Sequence, residues 1–165
     1  MRRRLGIAFA LLGTSSAFAD DPVGCDKFKW PVDLERAALS TASQQQVASG
    51  ASINTLTAQS ISLKPLASAA LPMAPERKPA DGTFAGFVTV PNPSGGSYII
   101  GVSDTAWIDV LQNGTYLKPI AYSGATGCEG LRKSIKFELG TAPTIIQVSG
   151  VPKNTINLVI LPAQN

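Results

Sequence analysis

Histidine is absent from the 165 residues. That absence removes Ser-His-Asp and Cys-His catalysis, imidazole general bases and His-ligated metal centres. Cysteine is scarce: Cys25 and Cys128 stand alone, with no CxxC pair or acidic cluster beside them, so a zinc-type ligand set is missing. No cofactor motif is present, and neither a cofactor nor a metal is expected. Charge is sparse as well, at 15% of residues with a formal net charge of +3. Three of the fourteen basic residues are Arg2, Arg3 and Arg4; beyond them eleven basic residues face eleven acidic ones. No basic stripe or RNA-binding aromatic motif accompanies that balance, which argues against nucleic acid as a partner. Long apolar runs are also missing: Leu5–Gly13 holds nine residues, against the roughly 20 that span a bilayer.

What is present at the amino terminus reads as an address. Met1–Arg4 is positively charged, Leu5–Gly13 is apolar, and Thr14–Ala19 supplies small residues with Ala17 and Ala19 in an A-x-A arrangement. This is the layout of a Sec-type signal peptide over residues 1–19, cleaved after Ala19. The expected destination is the periplasm or the exterior, with no stable membrane insertion after cleavage. In an oxidising compartment the two cysteines point to a Cys25–Cys128 disulfide; two free thiols are the alternative. A bond closing about 100 residues is worth at most roughly 4–5 kcal/mol in the chain-entropy model.

Residues 20–60 read as an arm with a short helix and a polar loop. Pro31 precedes Val32–Leu39, the one convincing helix, and Ser40–Ser60 is rich in Ser, Thr, Gln, Ala and Gly. Residues 61–165 read as the β domain. Ile61–Leu66 alternates as an edge strand containing Pro65. Ala67–Gly82, with Pro72, Pro75 and Pro79, favours an extended crossing segment. Strand-like runs follow at Thr83–Val90, Ser97–Ser103, Ala106–Gln112, Thr115–Tyr122, Lys133–Leu139, Thr144–Ser149 and Thr155–Leu161, separated by turn signals. The expected fold is all-β: an antiparallel β-sandwich or jelly roll of about eight strands with a short N-terminal helix.

Asn113-Gly114 is the sharpest local signal, because both central residues of a type I′ turn need positive φ. The two-residue loop sets Gln112 opposite Thr115, Leu111 opposite Tyr116 and Val110 opposite Leu117, with Asp109 opposite Lys118. Ile108, Val110, Leu117 and Pro119 then form the cleaner core face. The other face carries Trp107, Asp109, Tyr116 and Lys118, the candidate ligand-binding residues. Flat aromatics beside charged groups suit a glycan, a peptide or an envelope protein. The blander reading packs Trp107, Leu111 and Tyr116 beneath the Pro-rich segment or the helix, with Asp109–Lys118 as a cross-strand ion pair.

Other constellations are weaker. Ser123–Lys133 offers Gly124, Gly127 and Gly130 before Arg132 and Lys133, but no phosphate-loop pattern, so it reads as a Gly-rich connection around the disulfide. Asp104, Asp109, Glu129 and Glu138 are scattered carboxylates; Asp109 and Glu138 are the candidates for a hydrolase pair. Lys133-Ser134 neighbours point to opposite faces of a strand. Asn113-Gly114-Thr115 matches a glycosylation triplet but is accounted for as a turn. No catalytic residue is assigned, and a non-enzyme is expected.

The segments GCDKFKWPVDLERA, PERKPADGTFAGFVTV, SDTAWIDVLQNGTYLKPIAYSG and GLRKSIKFELG resemble a group of uncharacterised small exported proteobacterial proteins. Some of that group carry the name homogentisate 1,2-dioxygenase. The dioxygenase family holds iron with two histidines and a carboxylate, which a chain without histidine cannot match, so the name implies nothing here. Gly96, Tyr98, Trp107–Leu111 and Ile135–Leu139 are similar to the C-terminal β-sandwich accessory domains of secreted bacterial enzymes. That likeness implies a non-catalytic binding or accessory module of the bacterial envelope. A structural envelope protein acting through a sheet face, or a carboxylate-dependent hydrolase, are the alternatives.

Overall fold

A computed structural model describes residues 21–42 and 45–164. The expected signal segment, residues 1–19, lies outside them. Among the described residues eleven strands form two sheets: β1 (Gln46–Ala48), β2 (Gln59–Ser62), β3 (Lys64–Pro65), β4 (Phe84–Val90), β5 (Gly96–Val102), β6 (Trp107–Gln112), β7 (Thr115–Leu117), β8 (Ala121–Gly124), β9 (Lys133–Leu139), β10 (Thr144–Val151) and β11 (Thr155–Pro162). One sheet has the order β1-β2-β11-β5-β9-β8 and the other β3-β4-β10-β6-β7. All pairings between these strands are antiparallel except β1 with β2. The β-sandwich expected from the alternation is the observed architecture.

Alternating residues of both sheets meet in one core. Ile61, Ile100, Phe137, Leu139, Leu158 and Ile160 project from the six-stranded sheet, and Val88, Val110, Ile146 and Val148 from the five-stranded one. Each such side chain contributes about 1.5–3 kcal/mol on burial, so the pleat's period of two sets which face of every strand turns inward.

Eleven strands replace about eight because two expected strands each divide between the sheets and a short one is added in the polar stretch. Ile61–Leu66 splits at Leu63 into β2 and β3, and Thr115–Tyr122 splits into β7 and β8 on opposite sheets. Pro119 stands at the second crossing, where a missing N–H would interrupt a continuing ladder. In the stretch read as arm and loop, Gln46–Ala48 forms β1 against β2.

Two further layers cover the sandwich. The helix α1 (Asp33–Leu39) lies on the outer face of the six-stranded sheet with Phe28, Val32, Leu39, Cys128, Leu131 and Val159 buried around it. Gly101 permits this approach: a Cβ there would come within 3.2 Å of Val159 and 3.3 Å of both Glu35 and Leu131. The Cys25–Cys128 disulfide ties the arm to the loop before β9. Glu35 is buried within this layer and accepts from the Ser134 hydroxyl at 3.1 Å, which in turn accepts from Trp30 Nε1 at 3.0 Å. The Pro-rich segment covers the outer face of the five-stranded sheet as an extended strap.

The Asn113-Gly114 hairpin has the expected register, with Gln112 opposite Thr115, Leu111 opposite Tyr116 and Val110 opposite Leu117. Both turn residues have positive φ, 52° at Asn113 and 71° at Gly114. The pairing stops at Leu117, so the expected Asp109–Lys118 ion pair does not form. Lys118 has left the sheet and its ammonium pairs instead with Glu76 of the strap at 2.6 Å.

Candidate functional site

The strap has too many prolines to join the sheet as a strand, so outward-facing side chains of β6, β7 and β10 hold its backbone. Gln147, 1% exposed, donates to the Met73 carbonyl at 3.1 Å and accepts from the Met73 N–H at 3.4 Å. The Tyr116 hydroxyl donates to the Ala74 carbonyl. Asp109, 3% exposed, accepts from the Glu76 N–H at 3.3 Å, Gln147 Nε2 at 3.4 Å and Trp107 Nε1 at 2.6 Å. Burial pushes the Asp109 carboxyl above its usual 3.8, against the opposing effect of those three donors. The Tyr116 phenol is also held above 10.0, by desolvation first and then by the charges of Asp109 and Glu76.

Beside the strap, where the two sheets separate, a cleft of about 520 Å³ opens. Leu117, Pro119, Ile135 and Phe137 form its apolar lining, and Trp107, Arg77 and Lys133 line it as well. The cleft exists because β7 ends early. β7 covers only Val110–Gln112 of β6, and the chain then crosses through Lys118–Ile120 to β8 in the other sheet. A second hollow of about 420 Å³ shares Arg77, Trp107 and Lys133 and adds Lys78, Ser149 and the backbone near Gly150.

The shared wall is cationic. Among the described residues neither Arg77 nor Lys133 has a carboxylate partner; Arg77 sits over the Trp107 ring at 5.7 Å, and Lys133 Nζ donates to the Ala106 carbonyl at 2.6 Å. Burial, then the charges of Arg132 and Arg77, pull the Lys133 ammonium below its usual 10.5. Ser149 is 2% exposed and its hydroxyl has no hydrogen-bond partner among the described residues. A desolvated cation and an unsatisfied hydroxyl on one hollow are groups that an anionic oxygen would satisfy.

Of the residues singled out by sequence, Trp107 and Lys118 line the cleft, whereas Asp109 and Tyr116 face the strap. Trp107 is half-buried, so strap packing and a groove share one ring. Arg77, Lys133, Ser149 and the apolar lining were missed. The Glu76-Arg77-Lys78 triplet inside the Pro-rich segment was the available signal, but where it crosses the sheet depends on the tertiary fold. Asp109 and Glu138 do not flank a common cleft. Asp109 alternates with the inward Ile108 and Val110 on one sheet, Glu138 with the inward Phe137 and Leu139 on the other, so the two carboxylates leave opposite outer faces. Ser123–Lys133 surrounds the disulfide, and Lys133 is the residue of that stretch that reaches the cleft. Among the described residues no group of three His, Cys, Asp or Glu converges as a metal site, and no helix is long and apolar enough to cross a membrane. No protein-family model, curated protein or solved structure matches the chain.

Proposed function

We propose that the protein is an exported, non-catalytic binding module of the bacterial envelope, and that its ligand is an amphipathic anion held in the cleft beside Trp107. The observation that carries this reading is the pairing of an apolar slot with two cations, Arg77 and Lys133, that have no carboxylate partner among the described residues. Apolar walls with a few convergent polar groups are the usual composition of a ligand site. The disulfide and the signal-like amino terminus support work outside the cytoplasm.

Anilinonaphthalene sulfonate, an aromatic anion, is a suitable probe. In a Trp30→Phe background Trp107 is the remaining tryptophan, so quenching on titration reports the cleft directly. Saturable binding is expected, weakened about tenfold in Arg77→Ala and in Lys133→Met and weakened by salt. Absent or non-saturable binding, or equal affinity in those variants, refutes the assignment.

A further inference from the structure

The edge of β6 beside the cleft is open, and its hydrogen-bonding phase can be followed across the sheet. Phe87 and Thr89 of β4 bond away from β10: the Gly50 N–H donates to Phe87 O, and the Thr89 N–H donates to Ala51 O. Val88 and Gly86 therefore face β10, through Ile146 and Val148. Gln147 and Ser149 of β10 in turn face Asp109 and Trp107 of β6. Alternation leaves Ile108, Val110 and Gln112 directed toward β7. β7 reaches Val110 and Gln112 but not Ile108. The N–H and C=O of Ile108 thus point into the cleft with no strand opposite, and the next carbonyl in phase, Ala106, is taken by the Lys133 ammonium at 2.6 Å.

Resting on the binding reading above, we propose that the cleft receives the free C-terminus of a peptide chain, which pairs with Ile108 as an antiparallel continuation of β7. Polarity, charge and shape select this occupant. An antiparallel segment beyond Leu117 runs toward the Ala106 end of β6, so its last carboxylate arrives where Arg77 and Lys133, the two cations of the cleft wall, stand. Its final side chain enters the slot lined by Leu117, Ile135 and Phe137, which favours an apolar terminal residue. Main-chain pairing supplies affinity irrespective of sequence, and the slot supplies specificity. A small amphipathic acid would use the slot and the cations but leave Ile108 unpaired.

The test is displacement of bound anilinonaphthalene sulfonate by N-acetylated tetrapeptides ending in leucine, phenylalanine or valine, each as free acid and as C-terminal amide, with decanoate as the non-peptide arm. The free acids should displace the dye about tenfold better than the amides. That advantage should shrink in Lys133→Met, assayed at a dye concentration that saturates that variant, and exchange of the Ile108 amide hydrogen should slow when peptide binds to the unsubstituted protein. Equal displacement by acid and amide overturns the proposal. So does decanoate matching the peptide acids with Ile108 exchange unchanged by any ligand. Those two outcomes leave the dye-binding cleft intact, whereas a protein that does not bind the dye overturns the cleft reading itself and the peptide proposal with it.

Discussion

Asp109→Ala probes how the strap is held and therefore how the cleft is shaped. The carboxylate makes one short bond, from Trp107 Nε1 at 2.6 Å, and two long ones at 3.3 and 3.4 Å. A hydrogen bond to a charged group contributes about 1.5–3 kcal/mol, and the long pair adds little. Removing the side chain also removes the burial cost that raises the Asp109 pKa, which offsets part of the loss. Gln147 keeps its Met73 contact, and the Glu76 N–H can turn to water, so the Trp107 N–H is the main orphan. The net destabilisation is about 2 kcal/mol, and for a domain of this size the melting temperature should fall by about 4–8 °C. The strap should loosen with it: trypsin should cut the exposed Arg77–Lys78 bond faster, while Lys78–Pro79 stays resistant. Asp109→Asn separates charge from shape. Because the folded pKa lies above the unfolded one, the wild type loses stability relative to the Asn variant as pH rises from 3.8 through the raised folded value, and the difference is flat above it. Unchanged melting and unchanged cleavage at Arg77, or a pH trend of the opposite sign, would refute this account of the strap.

Three further perturbations bear on the layers. The Cys25→Ser/Cys128→Ser protein should lose up to about 4–5 kcal/mol in urea unfolding, since the bond spans 103 residues; a midpoint equal to that of the oxidised protein would show that α1 and the arm hold without it. Asn113→Ala should cost about 1–2 kcal/mol through its φ of 52°, whereas Asn113→Gly should cost less; equal losses in both would place the cost outside the turn backbone. Gly101→Ala should cost about 1–3 kcal/mol by pressing on Glu35, Leu131 and Val159. A shift in Trp30 emission is expected with it, and an unshifted spectrum with wild-type stability would contradict the close helix–sheet approach.

The hairpin was legible because its information is local: Asn-Gly admits positive φ at both positions, and a two-residue loop fixes the register. Its far end was not legible. Nothing in Lys118-Pro119-Ile120 states that the strand leaves for the other sheet, since Pro119 is equally compatible with an edge position. The predicted Asp109–Lys118 pair failed for that reason, and Lys118 found Glu76 instead. By sequence the Trp107 face is compatible with either packing or binding; tertiary placement gives Asp109 and Tyr116 to the strap and leaves Trp107 and Lys118 beside the cleft.

Short-range chemistry determined the strand-rich pattern, the inward face of the β6–β7 hairpin, its turn, the extended Pro-rich segment and the exclusion of histidine chemistry. Each depends on residue type, on alternation with a period of two, or on neighbours within a few positions. The tertiary structure alone decided which segments face one another: Arg77 beside Lys133, Ser149 beneath the strap, and an open β6 edge at Ile108. Those contacts join residues dozens of positions apart, and they arise where one strand ends and another begins on the opposite sheet. No local pattern records that event, because it depends on how the two sheets close over their common core.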